Sequence, residues 1–404
     1  MKWEKLKLKD ISLFIKRGIS PTYTIGIGYK VVNQKCIRDN FLNFELSRLS
    51  SEDKKVPIER FIFKGDCLVN STGAGTLGRT AFVKTVEPYS TTVDSHVTII
   101  RPNPEKVFDR FLGFHLAYRE PEIESKGKGA TNQTELSPGD LGELEIPLPP
   151  LPTQQKIASI LSAYDDLIEN NLKRIRLLEE AAQHLYREWF VRFRFPGWEE
   201  VEVVDGLPVG WERKALGKIC TEISSGGTPD RGNPLYWASP EIQWVKTKEL
   251  RDDFVFECEE RISKEGLENS SAKIFPEGTI LMAIYASPTL GRLGILTNEA
   301  CFNQAMVGFK IDRNQTSTEF LYYKLLEERL PLNNMAIGAA QQNINVKKVK
   351  EYEVILPSLD LINTFSRITS PFFSQRRALG GQNQKLKEAR DILLPRLMNQ
   401  TIVV

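Results

Sequence analysis

The sequence predicts an α+β protein: two tandem, mainly-β domains separated by two long antiparallel helices that pair as a coiled coil, with a pseudo-two-fold relation between the halves. Three observations carry this. Blocks of sequence recur, each copy ends at a proline-marked strand exit (Pro149 or Pro357), and behind each exit the hydrophobic period turns from strand to helix. Trp3, Glu4, Leu8 and Ile11 return as Trp211, Glu212, Leu216 and Ile219, a shift of 208. Gly65, Thr76, Leu77, Gly78 and Arg79 return as Gly278, Thr289, Leu290, Gly291 and Arg292 at 213, and Gly129, Ala130 and Gln133 as Gly338, Ala339 and Gln342 at 209. A period this long marks a duplicated domain, because solenoid repeats run to about 20–50 residues.

Within the first copy, Lys30-Val-Val, Cys67-Leu-Val and His96-Val-Thr-Ile-Ile are short β-branched runs between Gly, Pro and Asn clusters, the pattern of strands joined by turns. A helix is expected over 108–118, where Phe111, Leu112, His115 and Leu116 share a face, and again over 320–326. From Thr153, expected to cap a helix behind Pro152, the residues Ile157, Leu161, Tyr164, Ile168, Asn171, Ile175, Leu178, Ala182, Leu185 and Trp189 alternate in steps of three and four, a coiled-coil seam. At 1.5 Å per residue that seam is about 48 Å long. The distal seam reads Phe365, Ile368, Phe372, Gln375, Leu379, Gln382, Leu386, Ala389 and Leu393. Pro371 and Gly380-Gly381 predict a kink or fray in it, each glycine costing roughly 1 kcal/mol against alanine. The expected boundaries are a first domain at 1–150, a central helix at 151–195, a second domain at 196–356 and a distal helix at 357–404. The distal helix can cover the central seam only by running back along it, which places the domains at opposite ends of the pair.

Bulk composition excludes several classes. The 404 residues are 41% hydrophobic, enough for ordinary cores, and the net charge of +2 neither requires nor forbids a nucleic-acid partner. The charged N-terminus and the short longest apolar run, 280–286, point to a cytoplasmic protein without a membrane span. Five isolated cysteines and three histidines offer neither a disulfide framework nor a zinc site. Gly73-Ala-Gly-Thr-Leu-Gly78 fits G-x-G-x-x-G, but a strand-like Arg79-Thr-Ala-Phe-Val follows where a phosphate-binding helix would have to start, so it reads as a turn. Asn233-Pro-Leu-Tyr236 is one residue from the N-P-P-Y loop of amino-methyltransferases and, lacking a companion cofactor motif, reads as a Gly/Pro-rich loop. Pro229-Asp230 lacks an E-x-K partner, and no Ser/His/Asp or Cys/His grouping exists. No catalytic residues and no cofactor of its own are expected for this chain.

Proline-rich Pro147-Leu-Pro-Pro-Leu-Pro-Thr-Gln-Gln-Lys-Ile-Ala-Ser-Ile-Leu161, Asp165-Asp166-Leu-Ile-Glu-Asn170 and Leu185-Tyr-Arg-Glu-Trp-Phe-Val-Arg-Phe193 resemble the central region of the specificity subunits of type I restriction-modification systems. Gly206-Leu-Pro-Val-Gly-Trp-Glu212, Ser225-Gly-Gly-Thr-Pro229 and Trp244-Val-Lys-Thr-Lys-Glu-Leu250 are similar to the start of that family's second target-recognition domain. The resemblance covers essentially the whole chain; Leu359-Asp360 and the interrupted distal helix depart from it. It implies a non-catalytic reader of double-stranded DNA that binds two modification subunits, which carry S-adenosylmethionine and methylate adenine N6, with a motor-nuclease subunit using ATP and Mg completing the enzyme.

Base edges are read by Arg or Lys on guanine and Asn or Gln on adenine, while phosphate contacts set position. The expected DNA-contacting residues are therefore polar loop residues occurring in both copies. They are Asn33, Gln34 and Lys35 against Lys246, Thr247 and Lys248; Arg79 against Arg292; and Lys126, Lys128, Asn132 and Gln133 against Gln341, Gln342 and Asn343. Differences between the copies predict two dissimilar half-sites. Their centres are expected about one to one and a half turns apart, given 34–36 Å per turn. Leu185, Tyr186, Trp189 and Phe190 form an apolar helix end expected to stay exposed for the modification subunits. Two rivals, a self-sufficient methyltransferase or nuclease and a coiled-coil scaffold without DNA, predict cofactor binding by the isolated chain and salt-insensitive behaviour respectively.

Overall fold

The computed structural model describes residues 3–129, 134–238, 241–285, 288–335 and 343–404. The chain divides into two compact units, 1–167 with 386–404 and 168–385, and the central helix Leu151–Tyr186 and distal helix Leu359–Met398 each contribute to both.

In the first unit an antiparallel sheet orders Ser12–Arg17, Val97–Pro102, Cys67–Asn70 and Thr80–Phe82. Side chains alternate across a strand, so Val97–Pro102 feeds two cores. Ile100 packs with Phe111, Leu112 and Leu116 of the helix Asp109–Tyr118, whereas Val97 and Ile99 pack with Val32, Ile37 and Ile62. A second sheet orders Thr91–Val93, Gly28–Val32, Arg48–Ser51 and Tyr23–Thr24, its first pair parallel. Glu4–Lys7 pairs with Glu145–Leu148, tying the start of the domain to the strand that leads into the central helix.

The second unit repeats this plan. Cys220–Ser225, Met306–Ile311, Ile280–Ala283 and Leu293–Leu296 form the antiparallel part of a five-stranded sheet, and Cys301–Phe302 runs parallel to Ile242–Val245 in the smaller one. The predicted helix at 320–326 is Thr318–Glu327, and Glu212–Ala215 pairs with Glu353–Leu356. Duplication reaches the backbone. Gly18 and Gly226, 208 apart, each follow the first strand of their sheet, where a Cβ would strike the carbonyl of Val93 or Phe302.

Within each unit the two helices run antiparallel. In the first, Ile157, Ala158 and Leu161 share a core with Leu397 and Met398, and Arg390 meets Asp165 at 2.7 Å. In the second, Asn171 donates to Gln382 (3.0 Å) and Asn383 (2.9 Å), and Arg376 meets Glu179. On the central seam Ile157, Leu161, Ile168, Asn171 and Ala182 are buried as expected. The distal seam is displaced from the predicted one. Ile368 and Gln375 face solvent, while Thr369, Phe373, Arg376, Asn383 and Arg390 are buried, because arginines paired with carboxylates occupy positions that a hydrophobic pattern skips. Nor does the helix fray at Gly380-Gly381, because Gly380 receives the ring of Phe256 where any Cβ would stand. The central helix begins at Leu151, not behind a Thr153 cap. Buried Gln154 fixes that start by accepting from the Phe108 N–H and donating to the Pro149 carbonyl, both at 2.8 Å.

Candidate nucleic-acid interface

In the first unit three of the predicted loops converge. Asn33 opens a 3-10 turn, Gln34–Cys36, behind the strand Gly28–Val32, and its Oδ1 accepts from the Lys35 N–H at 2.9 Å. The Gln34 amide donates to the Thr72 hydroxyl at 2.8 Å, which brings this turn against the 72–79 turn, and Glu135 bridges Thr72 on one side and Lys128 on the other. In the 72–79 turn Gly73, Gly75 and Gly78 all have positive φ (97°, 70° and 88°), and the strand Thr80–Phe82 follows, so the G-x-G-x-x-G match is a turn. Arg79 donates to the Gly75 carbonyl at 2.7 Å, and Lys128 pairs with Asp140 at 2.7 Å. Lys126 approaches Glu122 at 3.8 Å, and Lys35 is exposed. The side chains of Asn33 and Gln34 are engaged within the protein, since short polar side chains beside a turn satisfy its backbone first.

In the second unit the matching 3-10 turn is Thr247–Glu249, behind Ile242–Val245. Lys246 and Lys248 both pair with Glu259, and Lys246 also with Glu260; these hydrogen bonds raise the pKa of Lys246 and lower that of Glu259. The two lysines are therefore neutralised locally, unlike Lys35. Arg292 is half-buried in the turn that repeats that of Arg79, with Gly291 donating to Ala283 as Gly78 does to Asn70. Exposed Asn343 bridges to Tyr285, joining two of the three loops. Asn132, Gln133, Gln341 and Gln342 lie outside the described residues.

Sequence reasoning missed one feature of both units. The Arg48 guanidinium lies 3.4 Å from the Tyr23 ring centroid, and that of Arg231 lies 3.8 Å from Trp237 and 4.7 Å from Trp244. Isolated arginines and aromatics separated by up to 25 positions give no local pattern to find.

The expected partner patch is overturned. Tyr186, Trp189 and Phe190 are buried and Leu185 half-buried, covered within the second unit by Phe320, Tyr323, Phe365 and Trp211. The globular domain, not a second helix alone, supplies the covering surface. Exposed aliphatic residues on the central helix are instead Ile160, Leu167, Leu172 and Leu177.

Among the described residues no group of His, Cys, Asp and Glu could hold a metal, and no helix is long and apolar enough to cross a membrane. The protein is thus a duplicated, helix-linked pair of loop-bearing α+β domains. The chain belongs to the family described as type I restriction modification DNA specificity domain, which matches it twice, over 1–180 and 208–388. It is 26% identical to the type I restriction enzyme HindI specificity subunit of Haemophilus influenzae across 99% of both chains. It is 30% identical to the MjaIX specificity subunit of Methanocaldococcus jannaschii, over 67% of this chain and 63% of that one. The fold matches the crystal structure of a type I system S subunit from M. genitalium, with a TM-score of 0.60 at 17% identity over 98% of this chain and 96% of the other.

Proposed function

We propose that this chain reads a bipartite, asymmetric site on duplex DNA, one half per domain, and positions two adenine-N6 modification subunits and a motor-nuclease subunit on it without catalysing either reaction. The observation that supports this most directly is the recurrence of the same loop set on a duplicated scaffold with different side chains: Gln34 against Thr247, and Thr72 against Tyr285. Loops held alike but sequenced differently suit two unlike half-sites. Lys35, Arg79, Arg292 and Asn343 are the proposed DNA contacts among the described residues; Lys126 and Lys128 serve the phosphates.

S-adenosylmethionine, ATP and Mg belong to the partner subunits. The 185–190 segment, covered within its own unit, is no longer the proposed modification-subunit contact. The chain is to be expressed with its modification subunit in methylation-free cells, and N6-methyladenine mapped by long-read sequencing. A motif of two dissimilar halves with a fixed gap is expected, and Lys35→Ala should weaken reading of one half only. Absence of any salt-sensitive duplex binding by the complex would sink the reading.

A further inference from the structure

Each unit projects an aliphatic side chain into solvent in the segment ahead of the strand Gly28–Val32 or Ile242–Val245. Ile25 and Ile27 are 104% and 85% exposed in the connection between Tyr23–Thr24 and Gly28–Val32, and Leu235 is 57% exposed in the second unit. Ile27 and Leu235 are separated by 208 positions, the shift that also relates Gly18 to Gly226 and Pro21 to Pro229. The surrounding sequences differ, yet the exposed aliphatic recurs.

Both projections are built. In the first, the Gly26 N–H donates to the Thr24 hydroxyl at 3.2 Å, and Gly28 sits so close to the Ser50 carbonyl that no side chain fits there. In the second, Asn233 caps the turn by accepting from the Leu235 N–H at 3.0 Å, and Ser263 donates to the Leu235 carbonyl at 2.8 Å. Each is also flanked by an arginine laid flat on an aromatic ring two residues from the aliphatic, Arg48 on Tyr23 and Arg231 on Trp237. A guanidinium stacked like that of Arg48 keeps its charge and its in-plane donors for an external acceptor, the form suited to phosphate or a base edge, whereas Arg231 also pairs with Glu260. Lys54 and Lys55 follow, exposed, in the turn after the strand that carries Arg48. The apolar tip of the first unit, rimmed by Arg48, Lys54 and Lys55, is what a polyanion with apolar stacked faces between its charges would receive; a purely apolar partner surface would not call for the cations.

We propose that Ile25 and Ile27 in one unit, and Leu235 in the other, are wedges that enter duplex DNA between base pairs at the two half-sites. Partial unstacking by an apolar side chain, with arginine holding the adjacent backbone, would add a shape-dependent component to recognition beyond the polar loops. The inference rests on the DNA-reading proposal above. The two are separable by experiment.

The test uses the full chain with its modification subunits and duplexes of the mapped site in which 2-aminopurine replaces, one at a time, each base other than the two methylated adenines and their stacked neighbours, because the modification subunits flip those adenines out themselves. Wild type should raise the fluorescence several-fold at one step in each half-site. The I25S/I27S double variant should abolish the rise in one half, L235S in the other, and each should bind roughly tenfold more weakly with an unchanged salt slope. Ile25→Leu with Ile27→Leu should restore the signal, and thermal melting controls for folding. Tight, salt-sensitive binding without any fluorescence rise, or a rise that the serine variants leave intact, overturns the wedge while the DNA-reading proposal stands. Loss of the modification subunit from the I25S/I27S or L235S complex assigns the tips to a protein contact and equally overturns it. No duplex binding by wild type overturns both.

Discussion

The helix contacts in the two units are the same joint with its charges reversed. In the first unit Asp165 on the central helix meets Arg390 on the distal one; in the second, Glu179 on the central helix meets Arg376 on the distal one. Asp165 and Arg376 are 211 positions apart, as are Glu179 and Arg390, and Asn171 with Gln382 shows the same separation. Each position therefore has a counterpart of opposite sign, and neither helix can be judged by itself. The joints also differ in how they reach their domain. In the first unit Asp166, on the central helix, holds Lys84 (2.9 Å) and Arg110 (3.4 Å). In the second, Arg376 reaches Asp253 at 2.9 Å and Arg377 donates to the Thr297 carbonyl at 2.7 Å, both from the distal helix. Charge sign is free to drift between copies so long as the pair stays complementary.

The largest effect is expected at Arg376, which is 1% exposed and faces both Glu179 and Asp253. Arg376→Met leaves the half-buried carboxylates of Glu179 and Asp253 unpaired and is expected to cost the second unit about 2–4 kcal/mol in urea unfolding. Arg390→Met should cost less, about 1–3 kcal/mol, because it strips a single buried carboxylate, Asp165. Reversing the first pair with Asp165→Arg and Arg390→Asp should recover most of that loss. Equal costs for the two arginines would mean that Asp253 adds nothing.

A smaller effect separates two neighbouring glycines. A Cβ on Gly380 would run into the Phe256 ring, whereas on Gly381 it would stand 3.6 Å away, ordinary contact distance. Gly380→Ala should therefore destabilise by about 1–3 kcal/mol, as overpacking does. Gly381→Ala should stabilise by up to about 1 kcal/mol through helix propensity. Melting temperatures that move in the same direction for both would show that Phe256 does not need that space.

These residues also mark what the sequence could disclose. Duplication, strand-rich domains, both small helices and the central seam were legible, because apolar burial with a fixed period leaves a local trace. The distal seam was not, because Arg376, Asn383 and Arg390 are buried by virtue of partners 197, 212 and 225 positions away. Gly380 looked like a helix defect for the same reason: its justification is a ring from another strand's exit. In the loops, the sequence picked out matching turns in each copy, but which side chains remain available depended on neighbours such as Thr72 and Glu259. The apolar 185–190 segment was rich enough to suggest a partner; what covers it is the second domain's own helix.

The two units also respond to pH in opposite directions. In the first unit His115 is buried on the helix Asp109–Tyr118, stacked on Phe111, and burial pushes its pKa down to about 3. Its proton is therefore taken up only on unfolding, so its contribution to stability is lost as pH falls through the unfolded value near 6.5. In the second unit burial pushes Glu179 up to about 7, so the folded state keeps a proton that the unfolded chain has released above about 4.5. Stability from Glu179 is thus present below that value and lost as pH rises toward 7. Taking the protein from pH 7 to pH 5.5 should weaken the first unit and strengthen the second, each by about 1 kcal/mol. Five of the six tryptophans, Trp189, Trp198, Trp211, Trp237 and Trp244, lie in the second unit, so fluorescence follows it, while amide exchange at 109–118 follows the first. His115→Leu should flatten only the first slope and Glu179→Gln only the second. A single substitution that flattens both would mean that the units unfold as one, and the opposed slopes would then have cancelled in every global measurement.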